Sequence, residues 1–202
     1  MNEPAGVQTS ADYPIPAQMK AWVLGGPDEL FLRDKPVPMP GRAEVLVRID
    51  AVAICATDLE IIHSGTPASI QGGLPFNKNF TPGHEYMGTV VALGPDVDEY
   101  KIGERISVEI HAGCGQCKRC RQGMYTSCLN YGKPEKGHRA NGFTTDGGFA
   151  EYMIVPSYPE YVKTRLSESS RSVVSRLSSI EKRWNRHLST KIRLHLVVAT
   201  SS

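Results

Sequence analysis

The stretch HAGCGQCKRCRQGMYTSC, residues 111–128, holds four of the five cysteines in this 202-residue chain: Cys114, Cys117, Cys120 and Cys128. Their spacing is C-x2-C-x2-C-x7-C. Short C-x2-C turns direct thiolates inward, and a fourth thiolate completes a tetrahedron around Zn²⁺. A ferredoxin-type iron–sulfur run needs its fourth cysteine after three residues and before a proline, but here Leu129 follows Cys128. The stretch therefore predicts a zinc-binding lobe over residues 111–131.

The amino-terminal stretch MNEPAGVQTS has neither the basic nor the apolar region of a secretory signal peptide. No apolar run in the sequence is long enough to span a bilayer. These features predict a cytoplasmic protein with reduced cysteines that are free to bind metal, which disfavours disulfides as the role of the four cysteines. We expect no membrane partner.

The composition of the chain changes near Pro159. All 19 glycines and 14 prolines lie before position 160, whereas residues 163–202 carry nine Lys and Arg against two Asp and Glu. We therefore divide the chain into a flexible lead-in (1–18), a turn-rich domain (19–158) and a basic Ser/Arg-rich tail (159–202). The tail has helical spacing of apolar residues over 170–188 and weak alternation over 192–199. A solvated or unstructured tail is the simpler interpretation, and no nucleic-acid partner is expected.

Alternation and turn signals predict a mainly β fold before the tail. Strands are predicted at 19–26, 30–34, 44–55, 85–94, 105–110 and 149–155, the first two joined by the turn at residues 25–28. The segment 56–65 predicts a single helical turn that leads into a long polar loop, 64–82. No β–α–β alternation occurs, so we expect a barrel or sandwich.

A second set of residues with metal-binding chemistry precedes the cysteine lobe. Cys55 begins the stretch CATD, His84 lies in PGHEY at 82–86, and GGFAEY follows the lobe at 147–152. In this order the motifs resemble the N-terminal GroES-like domain of the zinc-dependent medium-chain alcohol dehydrogenases. The resemblance covers about residues 19–155 and implies a GroES-like, partly open β barrel. It also implies a structural role for the zinc in the four-cysteine lobe.

The resemblance implies a catalytic zinc site with Cys55 and His84 as ligands, and with Glu85 beside the metal. Such a zinc lowers the pKa of an alcohol hydroxyl. Asp58 would accept the second ring N–H of His84, and Thr57 would begin the proton relay. Many family members carry a histidine where this chain has Glu60. Glu60 and His63 are alternative ends of the relay, although His63 also fits a surface histidine.

The resemblance stops at about Val155. The family continues into a Rossmann domain marked by G-x-G-x-x-G, which this sequence does not contain. We therefore expect the front half of an NAD(P)-dependent alcohol or polyol dehydrogenase, truncated or frameshifted and inactive as an isolated chain. The third catalytic zinc ligand would lie in the absent part. The alternative is a non-catalytic zinc-binding module that acts as an interaction or regulatory partner. The resemblance allows a homo-oligomer in the full-length form.

Overall fold

The computed structural model describes residues 6–66 and 79–156, and within them the fold is built mainly from strands. The strands are β1 (Gln8–Thr9), β2 (Gln18–Leu24), β3 (Leu30–Pro36), β4 (Glu44–Ala53), β5 (Glu85–Leu93), β6 (Arg105–Ser107), β7 (His111–Ala112), β8 (Arg139–Ala140) and β9 (Tyr152–Pro156). The helix α1 spans Ala56–Ser64, and 3₁₀ turns span Cys120–Gln122, Tyr125–Ser127 and Pro134–Lys136.

The central sheet is antiparallel and has the order β1–β5–β4–β9. Both β1 and β6 pair with the edge of β5 that faces away from β4, each at a different end. The hairpin β2–β3 forms a separate two-stranded sheet, joined to the segment before β9 by a bridge between Ala21 and Ala150. The small ladder β7–β8 carries the cysteine lobe. Across the described residues these sheets do not close into a complete barrel.

Strand β4 is the centre of the sheet and is buried on both faces. Val45, Leu46 and Val47 are all fully buried. Since side chains alternate along a strand, Val45 and Val47 pack in one apolar cluster with Tyr86, while Leu46 packs in a second cluster with Met19 on the opposite face. The sheet is therefore sandwiched between two hydrophobic layers, which explains why residues 44–53 are so apolar.

Helix α1 packs on a third apolar cluster. Ile61 and Ile62 are buried there together with Leu24, Phe80 and Phe149. The helix ends at Gly65, which has a positive φ of 81° and whose N–H donates to the carbonyl of Ile61. The sequence predicts one helical turn, but the helix has nine residues, because burial of this face stabilises a segment with few local helix signals.

The predicted mainly β fold is confirmed. The hairpin and the longer strands occur close to their predicted positions, whereas the two-residue strands β1, β7 and β8 are not predicted. Residues 6–17 also differ from the predicted flexible lead-in, because β1 pairs with β5 and partly buried Val7 and Ile15 pack against the second core layer. Residues 67–78 of the polar loop and the tail, with its predicted helix and strand, lie outside the described residues.

Candidate metal centre and cleft

Cys55 and His84, from two distant segments, meet at the start of α1. The Sγ atom of Cys55 lies 3.1 Å from Nε2 of His84. Cys55 is the N-cap residue of α1, and His84 directly precedes β5. Two ligands of a tetrahedral zinc, one sulfur and one nitrogen, lie about 3.6 Å apart. The observed pair is close to that separation, so both atoms can face one metal ion.

Asp58 lies behind this pair and contacts both of its members. It is fully buried, and its Oδ2 accepts a hydrogen bond of 3.0 Å from the backbone N–H of Cys55. Its Oδ1 lies 3.0 Å from Nδ1 of His84, although the two atoms are not aligned for a good hydrogen bond and have no other partner among the described residues. One carboxylate thus caps the helix and orients the histidine, leaving Nε2 on the Cys55 side.

The same carboxylate sets the ionisation of His84. Its proximity raises the pKa of His84 above the usual value, while burial of the ring lowers it and Cys55 raises it further. The three atoms Sγ of Cys55, a carboxylate oxygen of Asp58 and a ring nitrogen of His84 lie within 4.8 Å of one another. We take Asp58 as the orienting partner rather than a metal ligand, because its oxygens face the backbone of Cys55 and the Nδ1 side of His84.

A backbone clamp holds the segment that carries His84. The N–H groups of Gly147, Gly148 and Phe149 donate to the carbonyls of Thr81, Gly83 and Pro82 respectively, at 2.6, 2.7 and 3.0 Å. A Cβ on Gly147 would lie 2.1 Å from the carbonyl oxygen of Gly83. Only glycine permits this approach, which explains why a glycine stands at position 147 in the sequence GGF at 147–149.

An open cleft of about 790 Å³ lies beside the Cys55–His84 pair. Its wall is formed by polar and titratable side chains together with apolar ones: Thr57, His84, Glu85, Ser107, Glu109, His111, Thr126, Ala51, Ala53, Tyr86, Met87, Val108, Ile110 and Phe143. Within the described part of the chain, no lysine or arginine lines it. A small polar molecule therefore has access to the candidate metal centre.

The structure brings most of the predicted site residues together. Thr57 and Glu85 line the cleft, and Oε1 of Glu85 lies 4.0 Å from Nε2 of His84. Glu60 is exposed on α1 and does not contribute to the cleft wall among the described residues. His63 lies at the end of α1 on the surface, where Nδ1 is 2.9 Å from Oδ1 of Asp28.

The four cysteines of the lobe converge on one point. Their sulfur atoms all lie within 4.8 Å of one another, and the Sγ atoms of Cys117 and Cys128 are 3.9 Å apart. Two sulfur ligands of a tetrahedral zinc lie about 3.8 Å apart. Cys114, Cys120 and Cys128 also form the entire buried cluster of the lobe. The arrangement fits a structural zinc, because the lobe has little other apolar core to hold it.

Backbone donors surround the lobe sulfurs. The N–H groups of Cys117 and Cys120 point at the sulfurs of Cys114 and Cys117, at 3.3 and 3.4 Å, and Nδ2 of Asn130 donates to Cys114 Sγ at 3.3 Å. Hydrogen bonds from the backbone of Cys120 and then Leu129 lower the pKa of Cys117 to about 6. The surroundings of Cys117 therefore favour the thiolate form that binds metal, whereas burial raises the pKa of Cys120 to about 12 and also raises that of Cys128.

Several cleft residues are not predicted by the sequence motifs. Glu109, His111 and Phe143 line the cleft, and the ring of Phe143 packs against His84 with centroids 4.8 Å apart. The only sequence signal for Glu109 and His111 is that they lie two positions apart, just before the first lobe cysteine. The position of Phe143 depends on the loop after β8 and has no local signal.

Comparisons with known proteins agree with this geometry. The family model for the alcohol dehydrogenase GroES-like domain matches residues 41–164, more than half of the chain. The chain belongs to this family. The GroES-like fold and the resemblance to zinc-dependent medium-chain dehydrogenases are thereby confirmed.

Among curated relatives, L-threonine 3-dehydrogenase of Stenotrophomonas maltophilia (strain K279a) is 40% identical over 130 residues, which cover 63% of this chain and 34% of that protein. The chain thus spans about a third of the length of the curated relatives it matches. Among solved structures, the cobalt- and zinc-bound thermostable alcohol dehydrogenase of Pyrobaculum aerophilum matches with a TM-score of 0.60 at 30% identity, covering 74% of this chain and 42% of that one.

A second solved structure is acetophenone reductase of Geotrichum candidum NBRC 4597 in complex with NAD. It matches with a TM-score of 0.59 at 31% identity and covers 74% of this chain and 41% of that one. Family relatives are thus dehydrogenases and reductases, and the non-catalytic zinc module is not favoured. No helix among the residues described here has the length and hydropathy needed to cross a membrane.

Proposed function

We propose that this domain belongs to a zinc-dependent dehydrogenase that oxidises an alcohol group of a small molecule with NAD(P). The observation that carries the proposal is the meeting of Cys55 Sγ and His84 Nε2, 3.1 Å apart, beside an open cleft lined by both polar and apolar side chains. A thiolate and a neutral imidazole are the donor set of catalytic zinc sites. The buried carboxylate of Asp58 supplies the orienting partner that such a histidine needs.

In this proposal Cys55, His84 and Glu85 hold the catalytic zinc, and Cys114, Cys117, Cys120 and Cys128 hold the structural one. When bound, the catalytic zinc would supply a Lewis acid that lowers the pKa of the substrate hydroxyl, and NAD(P) would supply the hydride acceptor. Asp58 keeps the proton of His84 on Nδ1. The hydroxyl of Thr57 receives the substrate proton, and Glu60, three positions further along α1 and exposed, passes it to solvent.

We propose L-threonine, or a related amino alcohol, as the first substrate to test, and polyols as the second class. The support is the name of the matched relatives, which are 38–40% identical, and the cleft carboxylate of Glu109, which suits a substrate with an ammonium group. The intact enzyme would act as a homo-oligomer, and its cysteines fit a cytoplasmic location.

The metal centre can be tested without catalysis. Zinc bound to purified wild-type protein is compared with that bound to Cys55→Ser and Cys120→Ser. We expect Cys55→Ser to lose the zinc of the Cys55–His84 site and to keep the lobe zinc. We expect Cys120→Ser to lose the lobe zinc. Equal zinc content in wild type and Cys55→Ser at saturating zinc would contradict the catalytic metal centre.

The reaction is tested by NAD(P) reduction with L-threonine, sorbitol and ethanol. The full-length enzyme that carries this domain is expected to prefer L-threonine, and the isolated 202-residue chain is expected to be inactive. Turnover by the isolated chain would contradict the expectation of inactivity. Activity with none of the three alcohols would contradict the proposed substrate class.

A further inference from the structure

The two ends of the four-cysteine lobe, residues 111–131, meet at the wall of the cleft. His111 opens the lobe in β7 and lines the cleft together with His84. Tyr131 closes the lobe, and its Oη lies 3.1 Å from Nε2 of His111. The two rings also stack, with centroids 5.6 Å apart and planes inclined by 29°. A side chain of the lobe thus contacts a side chain of the cleft directly.

The lobe fixes the position of Tyr131 from two sides. The backbone N–H of Tyr131 donates to the carbonyl of Cys128 at 3.1 Å. Its ring packs against His138 with centroids 4.5 Å apart. His138 is itself fully buried, and its Nδ1 accepts the backbone N–H of Gly132 at 3.2 Å. The phenol is therefore held by the cysteine lobe and by a buried histidine, although its outer edge is exposed.

Glu109 lies beside one of the two ring nitrogens of His111. Its Oε1 lies 3.6 Å from Nδ1 of His111 and also accepts the backbone N–H of His111 at 3.2 Å. A carboxylate beside Nδ1 favours a proton on that nitrogen. Nε2 is then an acceptor, and the hydroxyl of Tyr131 is the donor that reaches it. The remaining groups that face His111 are the titratable His84 and His138 and the ring of Phe143.

We propose that Tyr131 is a positioning residue: its hydroxyl donates to Nε2 of His111 and holds that imidazole, protonated on Nδ1, in the cleft wall. A neutral ring fits this arrangement, and burial lowers the pKa of His111 below its usual value. A role for the His111 imidazole in substrate binding rests on the proposed function. The orientation of the His111 ring does not depend on that function, so each of the two proposals can fail without the other.

The test is a long-range ¹H–¹⁵N correlation spectrum of histidine rings in the zinc-loaded 202-residue protein, with His111 assigned from the signal that is missing in His111→Gln. We expect the wild-type ring to be the Nδ1–H form at pH 7.5. In Tyr131→Phe, which keeps the ring stacking, the loss of one hydrogen bond to the neutral form raises the measured pKa of His111 by about half a unit or more.

Two further variants make the result decisive. Glu109→Gln removes the charge beside Nδ1 and is expected to lower the pKa of His111, opposite to Tyr131→Phe. Leu129→Ala changes a lobe side chain that is 56% exposed and is expected to leave the His111 signal in place. A wild-type Nε2–H form, or a His111 signal that Tyr131→Phe does not change, would overturn the proposal. None of these readouts requires turnover, so inactivity toward alcohols would count against the proposed function alone.

Discussion

Two histidine–aspartate pairs in this chain differ in burial. In the Asp58–His84 pair the side chains are 0% and 7% exposed, whereas in Asp28–His63 they are 62% and 69% exposed. A buried carboxylate is costly unless its oxygens find partners. One oxygen of Asp58 accepts the N–H of Cys55, and the other lies 3.0 Å from Nδ1 of His84, so its role depends on both. The exposed pair has solvent as an alternative partner and contributes little.

Asp58→Asn is expected to weaken metal binding at the Cys55–His84 site by about 10- to 100-fold, the usual effect of losing a carboxylate that orients a ligating histidine. The amide keeps the shape of the side chain but removes the charge that orients His84. Titration with Co²⁺, followed by its visible absorption, measures the affinity. Asp28→Asn is the matched control and should leave the affinity unchanged. Equal affinities in both variants would show that Asp58 does not orient the site.

His138 is expected to make the protein less stable in mild acid. Burial, and then the nearby His111, lower the pKa of His138 below its usual value. Its contribution to stability is therefore complete above about pH 6.5, the value in the unfolded chain. It is lost as the pH falls through the lower pKa of the folded state, at no more than about 1.4 kcal/mol per pH unit.

The measurement is the free energy of unfolding of zinc-loaded protein at pH 7.5, 6.5 and 5.5. His138→Asn retains an acceptor for the N–H of Gly132 but cannot be protonated. We expect this variant to be less stable than wild type at pH 7.5 and to lose less stability on acidification. Parallel curves for the two proteins would assign the acid sensitivity to other groups.

The sequence predicts site residues that belong to a recognisable motif. It misses contacts that form only when distant parts of the chain fold together. The lobe cysteines converge as their spacing predicts, and Cys55, Asp58 and His84 meet as the family resemblance implies. The contact of Tyr131 with His111 was not predicted, because it depends on how the lobe folds back on its own start. Side-chain contacts across a folded loop leave no periodic trace in the sequence.

At the scale of elements, the clamp between 147–149 and 81–83 positions the segment that carries His84. Three successive backbone N–H groups donate to the three carbonyls of the facing segment. The backbone N–H of Thr81 also donates to Oδ1 of Asp146 at 3.0 Å, and Asp146 forms an ion pair with Lys35. These contacts are mostly between backbone atoms. The site therefore requires the two segments to approach closely, and glycine at position 147 allows that approach.

Gly147→Ala is expected to destabilise the domain by about 1–3 kcal/mol and to weaken metal binding at His84, because the new methyl group would overlap the backbone of residues 82 and 83. Denaturant unfolding and Co²⁺ titration measure the two effects. Gly26→Ala is the matched control, since a Cβ there meets only the flexible end of Glu29 at 3.3 Å. Retention of metal affinity in Gly147→Ala would show that the clamp does not hold the site.

Strand prediction succeeds where an element is long enough to show its period. Strands β2 to β5 and β9 have five or more residues, and alternation or apolar runs reveal them. The two-residue strands β1, β7 and β8 carry no period and exist because tertiary contacts place them beside partners. Helix α1 was predicted to be short for a related reason, since its length is set by the burial of Ile61 and Ile62 rather than by local propensity.

At the scale of the whole molecule, residues 6–17 cover one face of the central sheet. Val7, Tyr13 and Ile15 pack against the cluster that contains Leu46 and Met19. Tyr13 also lies under the guanidinium of Arg48 at 6.0 Å. This segment closes the second hydrophobic layer, so an apolar face that the strands alone would expose is covered by the chain that precedes them.

Removal of residues 1–17 is expected to lower the free energy of unfolding by about 2–4 kcal/mol, from the lost burial of several half-buried apolar side chains and the exposure of the layer beneath. Denaturant unfolding measures the loss. Removal of residues 1–5 is the control and is expected to have a much smaller effect. If both deletions have the same effect, the segment 6–17 contributes nothing to the core.

The clamp also has a consequence for biosynthesis. A ribosome delivers the chain from its amino end, so all four lobe thiols are available once residue 128 has left the ribosome. Cys55 and His84 emerge earlier, but the segment before His84 is not secured until residues 147–149 arrive. Cys55 is therefore the first metal ligand to appear, but the nascent chain is expected to complete the four-cysteine site first and the Cys55–His84 site second.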